Sequence, residues 1–323
     1  MARAMAAASS LAETLDLPVN EAVVVHNSNK LALRLLPCDV FARVALLGQE
    51  VSVLEVQFAQ RLAALASPVA ALEPRVAPRV YESDGFALTY WTYYETVTRD
   101  QVTPVEYADA LQRLHAGLRN VEIDTPHFME RVADAVRLVT SRDETPALAD
   151  ADRLLLLTTL EQARQQITSR GGAEQLLHGE PHPGNVLSTQ DGPIFIDFET
   201  CCRGPIEFDV AHLPAEVSAK YPDVDQVLLA ECRRLVLAMV AAWRWDVHDE
   251  FPDGQQLGRD ILTLLREGPP WPAPHALAAE GPPREGDTHN THRASPLRIR
   301  SQGFAAPSNV ASTNDVRDRG RSD

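Results

Sequence analysis

The segment that most limits how this chain can fold is His178-Gly179-Glu180-Pro181-His182-Pro183-Gly184-Asn185. Two prolines and two glycines in eight residues forbid a helix, so the loop is a stiff irregular turn. After it, Val186 to Ser188 and Ile194 to Phe198 read as two strands joined at Gln190-Asp191-Gly192, a turn whose glycine accepts positive φ. A hairpin of this length returns Asp197 to the edge that carries Asn185. One loop carboxylate, one amide and a second carboxylate are thereby expected at one place.

That grouping has a chemical reading. Phosphoryl transfer requires a carboxylate beside the acceptor hydroxyl and oxygen ligands on separate backbone segments to hold Mg²⁺ against nucleotide phosphates. Glu180, Asn185 and Asp197 supply these parts, and Glu199 is a further candidate, either as a metal contact or as a partner for the following loop. A zinc hydrolase using His178 and His182 is disfavoured, because their four-residue spacing serves a metal only on a helix.

The flanking segments suggest an α+β chain in two lobes. Residues 22–36 read as a hairpin turning at Asn27-Ser28-Asn29, residues 39–65 have helical spacing with Gly48 as a possible break, and two further β-rich runs, 78–81 and 86–94, flank Ser83-Asp84-Gly85. Thr103-Pro104-Val105-Glu106 then forms a capping box ahead of an apolar stripe at Tyr107, Leu111, Leu114 and Leu118. Helices are also predicted over 126–141, 146–167, 223–246 and 255–267. The expected division is a nucleotide-binding lobe over 1–94, a catalytic lobe over 95–269 and a disordered tail over 270–323. The tail holds seven Arg against six Asp and Glu, so it is not a basic arm.

HGEPHPGN followed by IDFE resembles the HGDxHxxN and IDxx pattern of the aminoglycoside phosphotransferase and choline-kinase-like family, which has a protein-kinase-like fold. The resemblance covers about residues 23–268 and is strongest from His178 to Asp209. It implies ATP and Mg²⁺ as cofactors and a small-molecule hydroxyl as acceptor. It places Glu180 at the family's catalytic Asp, Asn185 and Asp197 at the Mg²⁺ ligands, and His178 as a brace of the catalytic loop. Gly204-Pro205-Ile206-Glu207-Phe208-Asp209-Val210-Ala211 resembles the family's GDPxxDLA stretch, which makes Asp209 a structural support, and His115 ends a helix resembling the family's LH helix. Glu for Asp is a departure whose extra methylene shifts the carboxylate by about one bond length.

In the amino-terminal lobe the resemblance calls for a phosphate-holding Lys paired with a Glu. Arg34 is the candidate at that position and Lys30 the alternative; Glu55 is the expected partner and Glu50 the second choice. No Gly-rich phosphate loop precedes the first hairpin, leaving the turn at residues 26–29 as the nearest cover. Tyr90, Trp91 and Thr92, with Tyr93, are expected to form the hinge that meets an adenine edge. The departures at Glu180 and Arg34 keep a second reading open, a nucleotide-binding regulator without turnover.

Composition restricts the partners. A net charge of -15 excludes a general nucleic-acid binder. Four cysteines without CxxC spacing suggest reduced thiols and, with no signal-like start and no membrane-length apolar run, a cytoplasmic location. Trp243 and Trp245 fit a helix core or an acceptor pocket, and Asp246, Asp249, Glu250 and Asp253 fit either a cation-attracting mouth or a solvated helix end.

Overall fold

A computed structural model describes residues 1–27, 30–47, 51–98 and 102–279. The smaller lobe is a five-stranded antiparallel sheet in the order β1-β2-β3-β5-β4. Its strands are β1 (Val19–Asn27), β2 (Leu31–Pro37), β3 (Val40–Leu46), β4 (Tyr81–Ser83) and β5 (Phe86–Thr92). Helix α1 (Ala2–Thr14) lies on one face and α2 (Val51–Ala64) follows β3. Alternation along the strands sends Leu31, Leu33, Leu35, Val40, Ala42, Val44, Leu88 and Tyr90 to the α1 side. There the small stripe Ala4, Ala8 and Ala12 lets the helix approach closely, and Tyr90 Oη donates to Ala8 O at 3.0 Å.

Strand β3 corrects the helical reading of residues 39–65. The segment pairs on both sides, Arg43 opposite Ala32 of β2 and opposite Thr89 of β5. Two ladders of backbone bonds outweigh the helix preference of its Ala and Leu residues, and only the part from Val51 onward is helical. Gly48 and Glu50 lie outside the described residues, as do Ser28 and Asn29 of the first turn.

The larger lobe is mainly helical. It contains α3 (Pro104–Leu118), α4 (Phe128–Thr140), α5 (Asp150–Arg170), β6 (Glu174–Leu177), β7 (Val186–Thr189), β8 (Gly192–Phe195) and β9 (Cys202–Pro205). There follow α6 (Ile206–Val210), α7 (Ala215–Ser218), α8 (Gln226–Arg244), α9 (Gly254–Glu267) and α10 (Pro274–Ala279). The capping box at α3 is present in full: Glu106 N donates to Thr103 Oγ1, and Thr103 N donates to the Glu106 carboxylate. A continuous apolar core joins α3, α4, α5, α8 and α9.

Two small antiparallel pairs, β6 with β9 and β7 with β8, stand at the front of this lobe, and the first was not visible in the sequence. The segment expected to be disordered from residue 270 begins within described structure: Trp271 and Leu277 pack on the core and α10 follows α9. Among the described residues no helix is long and apolar enough to cross a membrane.

Candidate active site

Strand β6 ends at Leu177 and delivers the chain into the loop from His178 to Asn185. What shapes the loop is Asp209, a fully buried carboxylate on α6. Its Oδ2 accepts from His178 N at 2.9 Å and its Oδ1 from Gly179 N at 2.8 Å, while His115 Nε2 meets Oδ2 at 2.9 Å. His115 Nδ1 lies 2.7 Å from Tyr221 Oη. The ladder between β6 and β9, Leu177 opposite Cys202, is what returns the chain so that α6 lies under the loop. Gly179 has φ +90°, and a Cβ there would stand 2.0 Å from Thr200 O, so no side chain fits. This is where the structure places Asp209 and His115, the two residues expected as structural supports.

His178 braces the loop from inside. Its Nε2 donates to Ile196 O at 3.0 Å, and its Nδ1 accepts from Glu180 N at 3.4 Å. Burial holds its pKa below the ordinary value, so the ring is neutral and works as a two-ended strut between loop and hairpin. His182 Nδ1 accepts from Gly184 N at 2.9 Å. Both imidazoles are thus turned into the loop, and among the described residues no group of three His, Cys, Asp or Glu side chains converges as a metal site. The zinc arrangement therefore has no structural counterpart there.

The hairpin carries Asn185 and Asp197 at the same end of its two legs. Val186 pairs with Phe195, and Ile196 N donates to Asn185 O at 3.0 Å, which brings the residues just outside the two legs together. Asn185 Nδ2 donates to Glu180 O at 3.0 Å, which leaves Asn185 Oδ1 buried with no hydrogen-bond partner. Asp197 Oδ1 is likewise buried without one, on a residue held at φ +68°. A buried oxygen without a donor is costly, and although Asp197 Oδ1 has the Arg43 guanidinium 3.6 Å away, an amide oxygen and a carboxylate oxygen delivered by the two legs of one hairpin are donors that suit a hard cation.

The amino-terminal lobe faces this pair with cations, and here the structure corrects the sequence reading. Arg34 does not meet Glu55; it bonds Asp39 at 2.7 Å and lies over the ring of Tyr93, the residue after β5, at 3.8 Å. The partner of buried Glu55 is Arg43 Nη1, with Lys30 Nζ at 3.9 Å. Arg43 Nη2 also stands 3.6 Å from Asp197 Oδ1 and 3.3 Å from Glu199 Oε1, and Lys30 pairs with Glu199. Glu199 is therefore engaged by the cations of the opposite lobe. Burial, reinforced by Arg43, lowers the Lys30 pKa to about 8. Reading residues 39–65 as helix had hidden Arg43, whose strand position is what aims it at Glu55.

The expected hinge shifts as well. Tyr90 faces α1, its carbonyl accepts from Glu73 N at 3.0 Å, and Thr92 N donates to Ala71 O at 3.0 Å. Their backbone groups are used. Trp91 faces the cleft side with Ala59, Ala70, Phe41 and Ile194, an apolar patch suited to the flat side of a ring.

Glu180 is 1% exposed and meets a residue that no motif announced. Arg131 on α4 pairs its Nη2 with Glu180 Oε1, donates from Nη1 to Gly179 O at 3.3 Å, and lies 5.2 Å from the centre of the Trp243 ring. Burial raises the Glu180 pKa and Arg131 works against that rise. Trp243 and Trp245 are both buried, and Trp243 adds a contact at the site through Arg131. The acids after α8 are partly spent on their own loop: Asp246 accepts from His248 N, and Asp249 accepts from Phe251 N and pairs with Arg244.

Comparison with known proteins bears on the family and the fold. Residues 33–253 match the model of the phosphotransferase enzyme family. Among solved structures, an amicoumacin kinase superposes with a TM-score of 0.62 at 13% identity, covering 83% of this chain and 96% of that one. Aminoglycoside 2'-phosphotransferase-IIIa gives 0.58 at 14% identity, with coverages of 80% and 96%. A choline kinase from Streptococcus pneumoniae gives 0.56 at 15%, with 79% and 98%. No curated protein matches the chain in sequence. At these identities the superpositions establish the two-lobed kinase-like fold, and the match over 33–253 carries the assignment: the chain belongs to the phosphotransferase enzyme family.

Proposed function

We propose that this protein moves the γ-phosphoryl group of ATP to a hydroxyl of a small molecule. The observation that carries the reading is the pair of buried oxygens at the hairpin, Asn185 Oδ1 without a hydrogen-bond partner and Asp197 Oδ1 with Arg43 Nη2 3.6 Å away, in the loop region of Glu180 and facing the Arg43–Glu55 pair. These two oxygens would hold Mg²⁺, which supplies neutralisation of the charge on the transferring group. Arg43 and Lys30 are the cations placed to receive phosphate oxygens. The patch around Trp91 receives the base. Glu180 accepts the proton of the acceptor hydroxyl as its oxygen bonds the γ-phosphorus and the bond to the departing ADP oxygen breaks.

Thermal unfolding with and without Mg·ATP tests the binding half. Stabilisation of the parent by about 2.7 kcal/mol at a hundredfold excess over Kd, lost in Asp197→Ala, is expected. Equal stabilisation of both proteins refutes the metal role. ADP release across a panel of hydroxyl compounds tests the transfer half.

One observation favours a second reading, a nucleotide-binding regulator: Glu180, the expected base, is held by Arg131. On that reading Mg·ATP binds and every acceptor is silent.

A further inference from the structure

Resting on the phosphotransferase reading, we infer that the acceptor is a hydroxyl compound carrying an acidic oxygen group, a carboxylate or a phosphate monoester, held by Arg131, Arg244, His212 and Trp243. The argument begins with donors. Arg131 pairs with Glu180 and lies 5.2 Å from the centre of the Trp243 ring, and Arg244, next to Trp243 at the end of α8, adds a second guanidinium whose charge also acts on Glu180. His212 packs edge-on against the Phe208 ring, which meets Phe128 one turn before Arg131 on α4, and Arg131 is the largest charge acting on it. His212 is 4% exposed, burial keeps it neutral, and its Nε2 has no hydrogen-bond partner; Trp243 Nε1, a group that can only donate, is also buried and unpartnered. Guanidinium groups and an indole N–H gathered near Glu180 recognise oxygen acceptors, and His212 Nε2 joins them in the tautomer that carries its proton there.

Charge points the same way. Arg131 is paired with Glu180, and Arg244 with Asp249 at 3.2 Å. Asp249 is also tied to the backbone of its own loop, and so is Asp246. An ammonium group arriving at Glu180 would have to displace a guanidinium that is already there. An anion instead offers Arg131 a new partner. As the acceptor's acid group draws the guanidinium toward itself, Glu180 is left to the acceptor hydroxyl. That hydroxyl then loses its proton to Glu180, its oxygen bonds the γ-phosphorus, and ADP leaves. Recognition of the acid group and release of the base are one event, which gives turnover only when the proper acceptor is bound.

The purified full chain with Mg·ATP is offered matched compounds: glycerate, gluconate and glycerol phosphate as acids, glycerol and glucitol as neutral polyols, serinol and glucosamine as amines. ADP release is measured, and thermal stabilisation by each compound in the presence of Mg·ADP is measured alongside. Acid members are expected to turn over or to stabilise, the carboxylates and the phosphate ester showing which acid these groups take. Arg131→Gln and Arg244→Gln are expected to raise KM for acids about tenfold or more. Trp243→Phe removes the N–H together with part of the buried ring and is expected to raise it severalfold; the unfolding temperature of the variant, read alongside, separates lost recognition from lost packing. Preference for amines or polyols overturns the inference, as do acids that neither turn over nor stabilise while Mg·ATP still binds. In those cases the phosphotransferase reading stands. Loss of any response to Mg·ATP in the parent instead removes that reading and the inference with it.

Discussion

Replacing Asp209 by Asn tests whether one buried carboxylate shapes the catalytic loop. Asp209 receives three donors, His178 N, Gly179 N and His115 Nε2, at 2.8 to 2.9 Å and with no exposure to solvent. Asn keeps the shape and one oxygen. With that oxygen turned toward His178 N and His115, its NH₂ group faces Gly179 N, donor against donor. A charge-assisted bond contributes about 1.5–3 kcal/mol, and a buried donor left unsatisfied costs about 1–3 kcal/mol; these overlap, so a loss of about 3 kcal/mol is expected. With a urea dependence near 3 kcal/mol per molar, the unfolding midpoint falls by about 1 M. Urea titration followed by far-ultraviolet circular dichroism and tryptophan fluorescence reads this directly. Because His115 shares the same oxygen, Asp209→Asn combined with His115→Phe should cost less than the sum of the singles by at least about 0.5 kcal/mol. A midpoint unchanged within about 0.2 M, or strict additivity, refutes the carboxylate as the organiser of the loop.

Arg43→Met leaves Glu55 buried beside Lys30 alone, so a loss of about 3 kcal/mol is expected, together with weaker stabilisation by Mg·ATP. Arg34→Met breaks a partly exposed pair with Asp39 and should cost less than about 1 kcal/mol, with the Mg·ATP response intact; equal losses in the two variants, measured by urea titration, count against the reassigned pair. Thr103→Ala removes the first half of the α3 capping box and should destabilise by about 1 kcal/mol in the same titration. Burial pushes the thiols of Cys201, Cys202 and Cys232 well above their ordinary range, so at pH 8 they stay protonated in the folded protein. A disulfide reagent should label them at the rate of unfolding, and immediate labelling of the native protein contradicts their placement.

The parts of the site that were legible in the sequence are those aimed by their own neighbours in the chain. Prolines and glycines stiffen the loop around Glu180, and a hairpin of fixed length must bring Asp197 back to Asn185. Spacing alone therefore specifies where those three groups go. The α3 capping box is legible for the same reason, since Thr103 and Glu106 meet within one turn. The cations are another matter. Arg131 is 49 residues from Glu180, and a helix surface carries many arginines with nothing local to mark the one that crosses to a loop. Arg43 escaped the sequence reading because a segment of Ala, Leu and Val has no intrinsic choice between helix and strand; pairing with β2 and β5 makes that choice, and the strand then turns Arg43 toward Glu55 while Arg34 meets Asp39. Residue type and spacing supplied the oxygens that attract charge. Which positive groups answer them depends on how sheet and helices pack, because long-range pairing enters the energy only once the chain has folded.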